Sequence, residues 1–175
     1  MQAQTFYKVV TMDQANLSER LIALFSEHHI AYCIIGGQAV NAYVDPLVSL
    51  DLDVVIATEQ LPVIEALLVQ SFTVQQFPHS INVSAPNSGL RVQIQTDPRY
   101  AEFPARAVTR EVLGMTLRVA SLEDTLQGKI WAAQDPTRRG SKFQKDLTDI
   151  TRLIECYPHL RANVPADLLK LIAMR

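Results

Sequence analysis

Two aspartates, Asp51 and Asp53, stand at the head of the apolar run LDLDVVIA (50–57), and a glycine pair, Gly36-Gly37, closes the preceding apolar run AYCII (31–35). Residues two apart on a strand project to the same face, so a strand at 50–57 presents the two carboxylates side by side. Like charges that close are unfavourable without a cation between them. Mg²⁺ answers this need, since it takes hard oxygen ligands, uses one or two protein carboxylates, and fills its octahedron with water and substrate phosphate oxygens. A metal held this way against a triphosphate supports phosphoryl or nucleotidyl transfer. The glycine pair fits the same chemistry, because backbone without Cβ atoms lets a phosphate approach closely. Each signal alone has a plain structural reading, a tight strand-to-helix junction for Gly-Gly and a turn or strand end for the D-x-D. Strand, Gly-Gly, short helix, strand and D-x-D in sequence are more specific than either.

The elements that must position these residues follow from period and punctuation. NLSERLIALFSEH (16–28) places Leu17, Leu21, Leu24 and Phe25 on one helical face and leads into the strand AYCII. QAVNAYV (38–44) reads as a short helix, Asp45-Pro46 as a break, and EQLPVIEALLVQSF (59–72) as a helix after the D-x-D strand. From Thr73 to Ala120 come the β-rich runs FTVQQF, INVSA, LRVQIQT, AVTREV and MTLRVA, expected to extend the sheet as hairpins. Past Ser121 the chain reads as helix: LEDTLQGKIWAAQ, SKFQKDLTDITRLIECY and a last helix from Pro165. The fold class expected is α+β, an α/β sandwich with a mixed β-sheet, in which residues 1–120 form the sheet and 121–175 a helical segment packed on it as one compact unit. The polar, basic stretch DPTRRGSK (135–142) is the expected mobile segment, either a lid or a connector.

A chain of 175 residues with 48% hydrophobic residues can bury one substantial core, which excludes a largely disordered protein. A net charge of −2 gives no global field for nucleic acid, so a polyanion would need a local basic patch. Cys33 and Cys156 lack any CxxC or zinc-type spacing and read as reduced core thiols. No apolar run approaches membrane-span length and no signal-peptide pattern opens the chain, so the expected location is the cytoplasm, with no membrane partner.

GGQAVNAYVDPLVSLDLDVVI resembles the first motif of the nucleotidyltransferase superfamily that includes DNA polymerase beta. Together with EDTLQGKIWAAQDPTRRGSKFQKDLTDI it is similar, more closely, to the bacterial AbiEii-like nucleotidyltransferases of toxin-antitoxin and abortive-infection systems. The resemblance spans roughly Ile34 to Ile150. It implies the nucleotidyltransferase fold and transfer of a nucleoside monophosphate from an NTP to an acceptor hydroxyl. Asp51 and Asp53 would hold Mg²⁺, with Mn²⁺ as a substitute, while Gly36, Gly37 and Ser49 cradle the triphosphate. Lys129 would contact the phosphates as a third catalytic residue, with Arg138 or Arg139 as helper, and Lys145, Asp146 and Asp149 would line the helical side, the two aspartates counting as nucleotide-binding. The acceptor could be tRNA, a protein, a small molecule or a nucleotide, and a cognate antitoxin protein is an implied partner.

Two positions depart from the family pattern. The third carboxylate usually supplied by a neighbouring strand falls at Gln93, with Gln95 next on that face, and an amide cannot accept a proton as general base. Asp97 could substitute, or Asp97-Pro98 is simply a turn. An Arg commonly found before the D-x-D is here Leu47, leaving the hydroxyl of Ser49 but removing a bidentate phosphate contact. A catalytically degenerate nucleotide- or partner-binding protein is therefore the alternative reading. Other residues have structural readings of their own. Asp124 sits in a capping pattern with Ser121; Lys142/Asp146 and Lys145/Asp149 are i,i+4 pairs of a solvated helix; Trp131 belongs to an amphipathic helix core rather than a base-stacking platform; and the four histidines form no metal cluster. The basic group Arg138, Arg139, Lys142 and Lys145 is too small to indicate RNA.

Overall fold

In the computed structural model, which describes residues 3–13 and 16–174, seven strands form one mixed sheet. Its order is β3-β4-β5-β2-β1-β7-β6, with β1 Tyr32–Ile35, β2 Asp51–Ile56, β3 Thr73–Phe77, β4 Ser80–Ser84, β5 Arg91–Gln95, β6 Val108–Val112 and β7 Met115–Val119. The expected α+β architecture holds. Hairpins account for β3-β4, β4-β5 and β6-β7, but β5 joins β2 in parallel and β7 joins β1 in parallel. The D-x-D strand therefore lies at the centre, between β1 and β5, rather than at an edge.

Eight helices accompany the sheet among the described residues: α1 Ala3–Thr11, α2 Leu17–Glu27, α3 Gly36–Asn41, α4 Leu61–Ser71, α5 Phe103–Arg106, α6 Leu122–Gln134, α7 Gly140–Cys156 and α8 Ala166–Ala173. The expected stripe of α2 is realised at Leu17, Leu21 and Phe25, all fully buried, while Leu24 sits at its margin. The Asp13 carboxylate accepts from the Leu17 amide at 2.9 Å and so starts that helix. With Ile64 and Leu68 of α4, α2 covers one sheet face, built from Ile34, Leu52, Val54, Ile81, Val83, Val92 and Ile94. On the other face, Cys33, Ile35 and Val55 pack under Tyr100 and Phe103. A third cluster joins α3 to α6, α7 and α8 through Val40, Leu126, Ile130, Ile150, Leu153 and Leu168. The central strands β2 and β5, with β4, thus alternate between two environments, which pins their register.

The sequence reading missed α1 and α5. Phe6 and Val9 of α1 are exposed, and α5 is a four-residue turn of helix opened by Pro104, too short for a periodic signal. Cys33 is buried as expected, whereas Cys156, at the end of α7, is exposed and corrects the reading of both cysteines as core thiols. None of the described helices is long and apolar enough to cross a membrane.

Candidate active site

β1 delivers the chain to Gly36 with Ile35 paired to Asp53 of β2, so the glycine and the second aspartate are neighbours by strand register. Gly36 adopts φ +69, a left-handed conformation that a Cβ disfavours, and a Cβ built there would overlap Asp53 Oδ2. The glycine is required twice over, by backbone conformation and by the carboxylate lying against it. The helix expected from Gln38 begins two residues earlier, at Gly36 itself. At Gly37 a Cβ would stand 3.1 Å from Ser49 Oγ and 3.4 Å from Lys145 Nζ, so hydroxyl and ammonium converge on the bare backbone. Lys145 Nζ lies 3.3 Å from Ser49 Oγ, and the buried Gln38 amide donates to the Ser49 carbonyl at 3.0 Å, fixing the loop before β2. Asn41 pins the same loop by bonding both the carbonyl and the amide of Leu47, whose side chain is exposed.

The two aspartates have different surroundings. Both oxygens of Asp51 are met by cations, Lys142 Nζ at 2.6 Å on Oδ2 and Arg91 Nε at 2.8 Å on Oδ1. Burial pushes the Asp51 carboxyl up, but the Lys142 hydrogen bond and charge, helped by Arg91, outweigh it and hold the group below its ordinary value. Among the described residues no hydrogen bond or ion pair reaches the Asp53 carboxylate. Burial first, then the charge of Asp51, push it above the ordinary carboxylate range against the pull of Lys129, Lys142 and Arg138. A cationic ligand between the two would offset the burial of Asp53 and the charge of Asp51 beside it. Two carboxylates with the neighbouring Gln93 amide match the oxygen donors that Mg²⁺ accepts when water and phosphate complete its shell.

Asp53 and Gln93 line a cavity of about 170 Å³ that runs from Gly36 to α6 and α7, where Thr125, Lys129 and Trp131 of α6, Arg138 of the following loop and Asp146 of α7 face it. Gln93 is paired in register with Asp53, which puts an amide where the neighbouring strand would place a third carboxylate. Asp97 does not substitute. It starts a short 3-10 turn, accepting from the Arg99 amide at 2.9 Å and pairing with the Arg99 guanidinium at 2.8 Å, as the turn reading expected. Asp124 has its amide capped by Ser121 Oγ at 3.1 Å and its carboxylate held by Arg106 at 2.9 Å through two nitrogens. Trp131 is stacked on Phe103 and packed against Tyr100, so it joins the core as expected, and it also forms part of the cavity wall beneath Arg99.

The helical side is bound into one ionic network. Lys129, only 6% exposed, bridges α6 to α7 with its ammonium 2.9 Å from Asp146 Oδ1 and 2.7 Å from Asp149 Oδ2. Arg138 takes the remaining Asp146 oxygen at 2.8 Å, and Arg152 the remaining Asp149 oxygen at 2.8 Å. The Asp149 Oδ2 contact is an ion pair without an aligned hydrogen bond. Arg152 also bonds the Asp45 carbonyl, tying α7 to the loop before β2. Burial pulls the Lys129 ammonium down, yet Asp149 and Asp146 prevail and hold it above the ordinary lysine value. The expected i,i+4 pairs Lys142/Asp146 and Lys145/Asp149 do not form. Lys142 and Lys145 reach across to Asp51 and Ser49 because Asp146 and Asp149 point inward, where buried cations claim them. Of the residues read from sequence, Asp51, Asp53, Gly36, Gly37, Ser49, Lys129 and Asp146 gather around the sheet centre, while Asp149 stands behind Lys129 and off the cavity wall. Lys142 and Arg91 were missed as site residues. The same-side spacing of Lys142, Lys145 and Asp149 on α7 was the available signal for Lys142, and the β2–β5 register that brings Arg91 to Asp51 has none.

Residues 36–174, from the glycine pair to the last helix, match the family described as nucleotidyl transferase AbiEii toxin, type IV toxin-antitoxin system. The chain belongs to this family. Among solved structures, the antibiotic-resistance factor ANT(2″)-Ia in complex with adenylyl-2″-tobramycin superposes with a TM-score of 0.57 at 16% identity, covering 86% of this chain and 98% of that one. Lincosamide antibiotic adenylyltransferase LnuA, lincomycin-bound, gives 0.54 at 12% identity, with 82% of this chain and 99% of that one covered. A Thermotoga maritima protein provisionally assigned as a nucleotidyltransferase gives 0.52 at 14% identity over 77% of this chain and 92% of its own. At such identities the likeness establishes the nucleotidyltransferase fold. No curated protein is significantly similar in sequence.

Proposed function

We propose that this AbiEii-family chain is a Mg²⁺-dependent nucleotidyltransferase that moves a nucleoside monophosphate from an NTP to an acceptor hydroxyl and releases pyrophosphate. The observation that carries this reading is the contact between Gly36 and Asp53, which makes the glycine pair and the D-x-D one site instead of two motifs. Asp51 and Asp53 would hold the metal; when bound, it supplies Lewis-acid polarisation of the α-phosphate and neutralises charge on the leaving pyrophosphate. The bare backbone at Gly37, the Ser49 hydroxyl and the Lys145 ammonium form the phosphate cradle. Were Asp51 to hold the metal, Lys142, whose side chain is 34% exposed, would be free to exchange its contact with Asp51 for one with a bound phosphate. On the helical wall Asp146 and Asp149 hold Lys129 and Arg138 in place, and the Arg138 guanidinium, a third exposed, is the cation there that a phosphate could meet. Catalysis by such a site is positioning and electrostatic stabilisation. Residues 1–120 carry the sheet half of the cleft and 121–175 the helical half, and a cognate antitoxin protein in the cytoplasm is the partner the family suggests.

A second reading, a degenerate nucleotide-binding protein, is favoured by Gln93, which removes the carboxylate that would take the acceptor proton. Thermal unfolding with each NTP, with and without Mg²⁺, tests the shared premise of both. A ligand at a hundred times its dissociation constant adds about 2.7 kcal/mol, or roughly 5–10 °C at this chain length. The expected result is a Mg²⁺-dependent shift in the wild type that disappears in Asp51→Asn/Asp53→Asn. No shift with any NTP refutes the transfer reading and leaves only a degenerate protein that binds a partner; a shift without transfer of labelled nucleotide to any acceptor leaves the degenerate nucleotide-binding one.

A further inference from the structure

Strand register lays a row of neutral side chains across the sheet and ends it on the aspartates. Gln75 of β3 pairs with Asn82 of β4, Asn82 with Gln93 of β5, and Gln93 with Asp53 of β2. A parallel row runs from Thr73 to Ser84 and, one strand further, from Arg91 to Asp51. Gln75, Asn82, Ser84 and Gln93 are all exposed, while Ile81, Val83, Val92 and Ile94, alternating with them, are buried on the opposite face. The polar face is thus an open platform on the fully formed side of the sheet. It walls a cavity of about 350 Å³ with Asp51, Asp53 and Lys142 at its inner end. Asp53 and Gln93 belong both to this cavity and to the one beneath α6, so the two spaces meet at the candidate reaction centre.

We infer that this face of β3, β4 and β5 is the acceptor site and that the acceptor is a phosphate-free, polyhydroxylated small molecule; the inference rests on the nucleotidyl-transfer reading above. Displacement at the α-phosphorus places the incoming hydroxyl opposite the departing pyrophosphate, so the acceptor enters from a space other than the one that holds the phosphates. Lys129, Arg138, Lys145 and the glycine pair make the phosphate side. The amide row makes the other. An amide donates and accepts at once, the match for hydroxyl groups that do the same. A phosphate chain needs cations along its length, and the cations lining this cavity, Arg91 and Lys142, both stand at its inner end beside Asp51, so that the platform of Gln75, Asn82, Ser84 and Gln93 carries no charge. The cavity volume falls at the small end of the range for organic ligands. In the transfer, the acceptor oxygen forms a bond to the α-phosphorus, the α–β phosphoanhydride P–O bond breaks, pyrophosphate leaves with the electron pair, and the hydroxyl proton passes to solvent water at the open side.

The test follows the α-phosphate label of radiolabelled NTPs with Mg²⁺ into tobramycin, lincomycin or trehalose, as phosphate-free polyhydroxylated probes, and into bulk tRNA. It compares wild type with the exposed-strand double variant Gln75→Ala/Asn82→Ala, whose fold is checked by circular dichroism. The NTP-induced thermal shift is read in the same samples. Labelling of at least one small-molecule probe is expected, with KM for that probe raised about tenfold or more in the double variant and the NTP shift unchanged. Label entering tRNA alone, no labelled small molecule while the NTP shift is intact, or a probe KM indifferent to the double variant each overturns the inference. Absence of an NTP shift in the wild type instead removes the nucleotidyl-transfer reading, and the acceptor site with it.

Discussion

Replacing Lys129 by methionine separates the structural role of the α6–α7 network from its place in the site. The ammonium has contacts of 2.9 Å and 2.7 Å to two carboxylates and is nearly sequestered from solvent. Breaking a buried ion pair by removing one partner costs roughly 3–5 kcal/mol, because the other charge is left uncompensated. Here Asp146 retains Arg138 and Asp149 retains Arg152, and methionine refills most of the volume, which places the loss near the lower limit, about 3 kcal/mol. At this chain length each kcal/mol moves the melting temperature by about 2–4 °C, so a fall of roughly 6–12 °C is expected. The pH dependence carries a second signature. Asp149 and Asp146 raise the Lys129 pKa above that of an unfolded lysine, so the folded state keeps a proton that the unfolded chain has released. Its stabilisation is complete below about pH 10.4 and is lost as pH rises through the higher folded value. The gap between wild type and Lys129→Met should therefore be full at pH 7 and narrow in the alkaline range. Urea unfolding followed by circular dichroism at both pH values measures it. A gap under about 1 kcal/mol at pH 7, below the buried-pair range, or one that widens in alkali, would refute the claim that the ammonium holds the two helices together.

Gly36→Ala should keep its secondary structure yet lose the Mg²⁺-dependent NTP shift, since a left-handed alanine costs roughly 1–2 kcal/mol and its Cβ drives the Asp53 carboxylate from its place. Circular dichroism alongside thermal unfolding with NTP checks both halves, and an unaltered shift would count against the shared site. The two thiols should titrate separately with Ellman's reagent near neutral pH: Cys156, exposed, at once, and Cys33, whose thiol burial pushes up to about 12, only after denaturation. Two rapidly reacting thiols in the folded protein would contradict the packing of β1.

The elements around the site were legible because their signals are local. Leu17, Leu21 and Phe25 fall on one turn of helix after another, and Ser121 caps α6 through the Asp124 amide as the sequence pattern implies. Gly36 and the D-x-D could be paired on paper because only one short helix and a loop separate them. What the chain order conceals is which strand lies beside which. The family resemblance puts Gln93 on the strand beside Asp53, as the β2–β5 register has it, but that the same register carries Arg91 to Asp51 depends on a crossover through β3 and β4, and no spacing encodes it. The same limit explains α7. From sequence, Lys142 and Lys145 have helical partners four residues on, and the reading is sound for a solvated helix. It fails here because the helix buries its aspartates: Lys129 and Arg138 from the preceding segment satisfy Asp146, Lys129 and Arg152 satisfy Asp149, and the two lysines are released to span the cleft.

That release bears on what Gln93 does to the site. With an amide in place of a carboxylate, the sheet contributes two negative charges at its centre, and Lys142 and Arg91 already counter one of them. Lys145 stands over the bare backbone at Gly37, and Lys129 and Arg138 share the charge of Asp146 on the opposite wall. A triphosphate entering this surround meets less repulsion than a third carboxylate would create, so binding is favoured by the same exchange that removes a proton acceptor. On the proposed function, nucleotide affinity and transfer rate are therefore pushed in opposite directions by one residue. An activity assay alone would confound them, whereas the thermal shift with NTP reads affinity and the transfer of label reads chemistry.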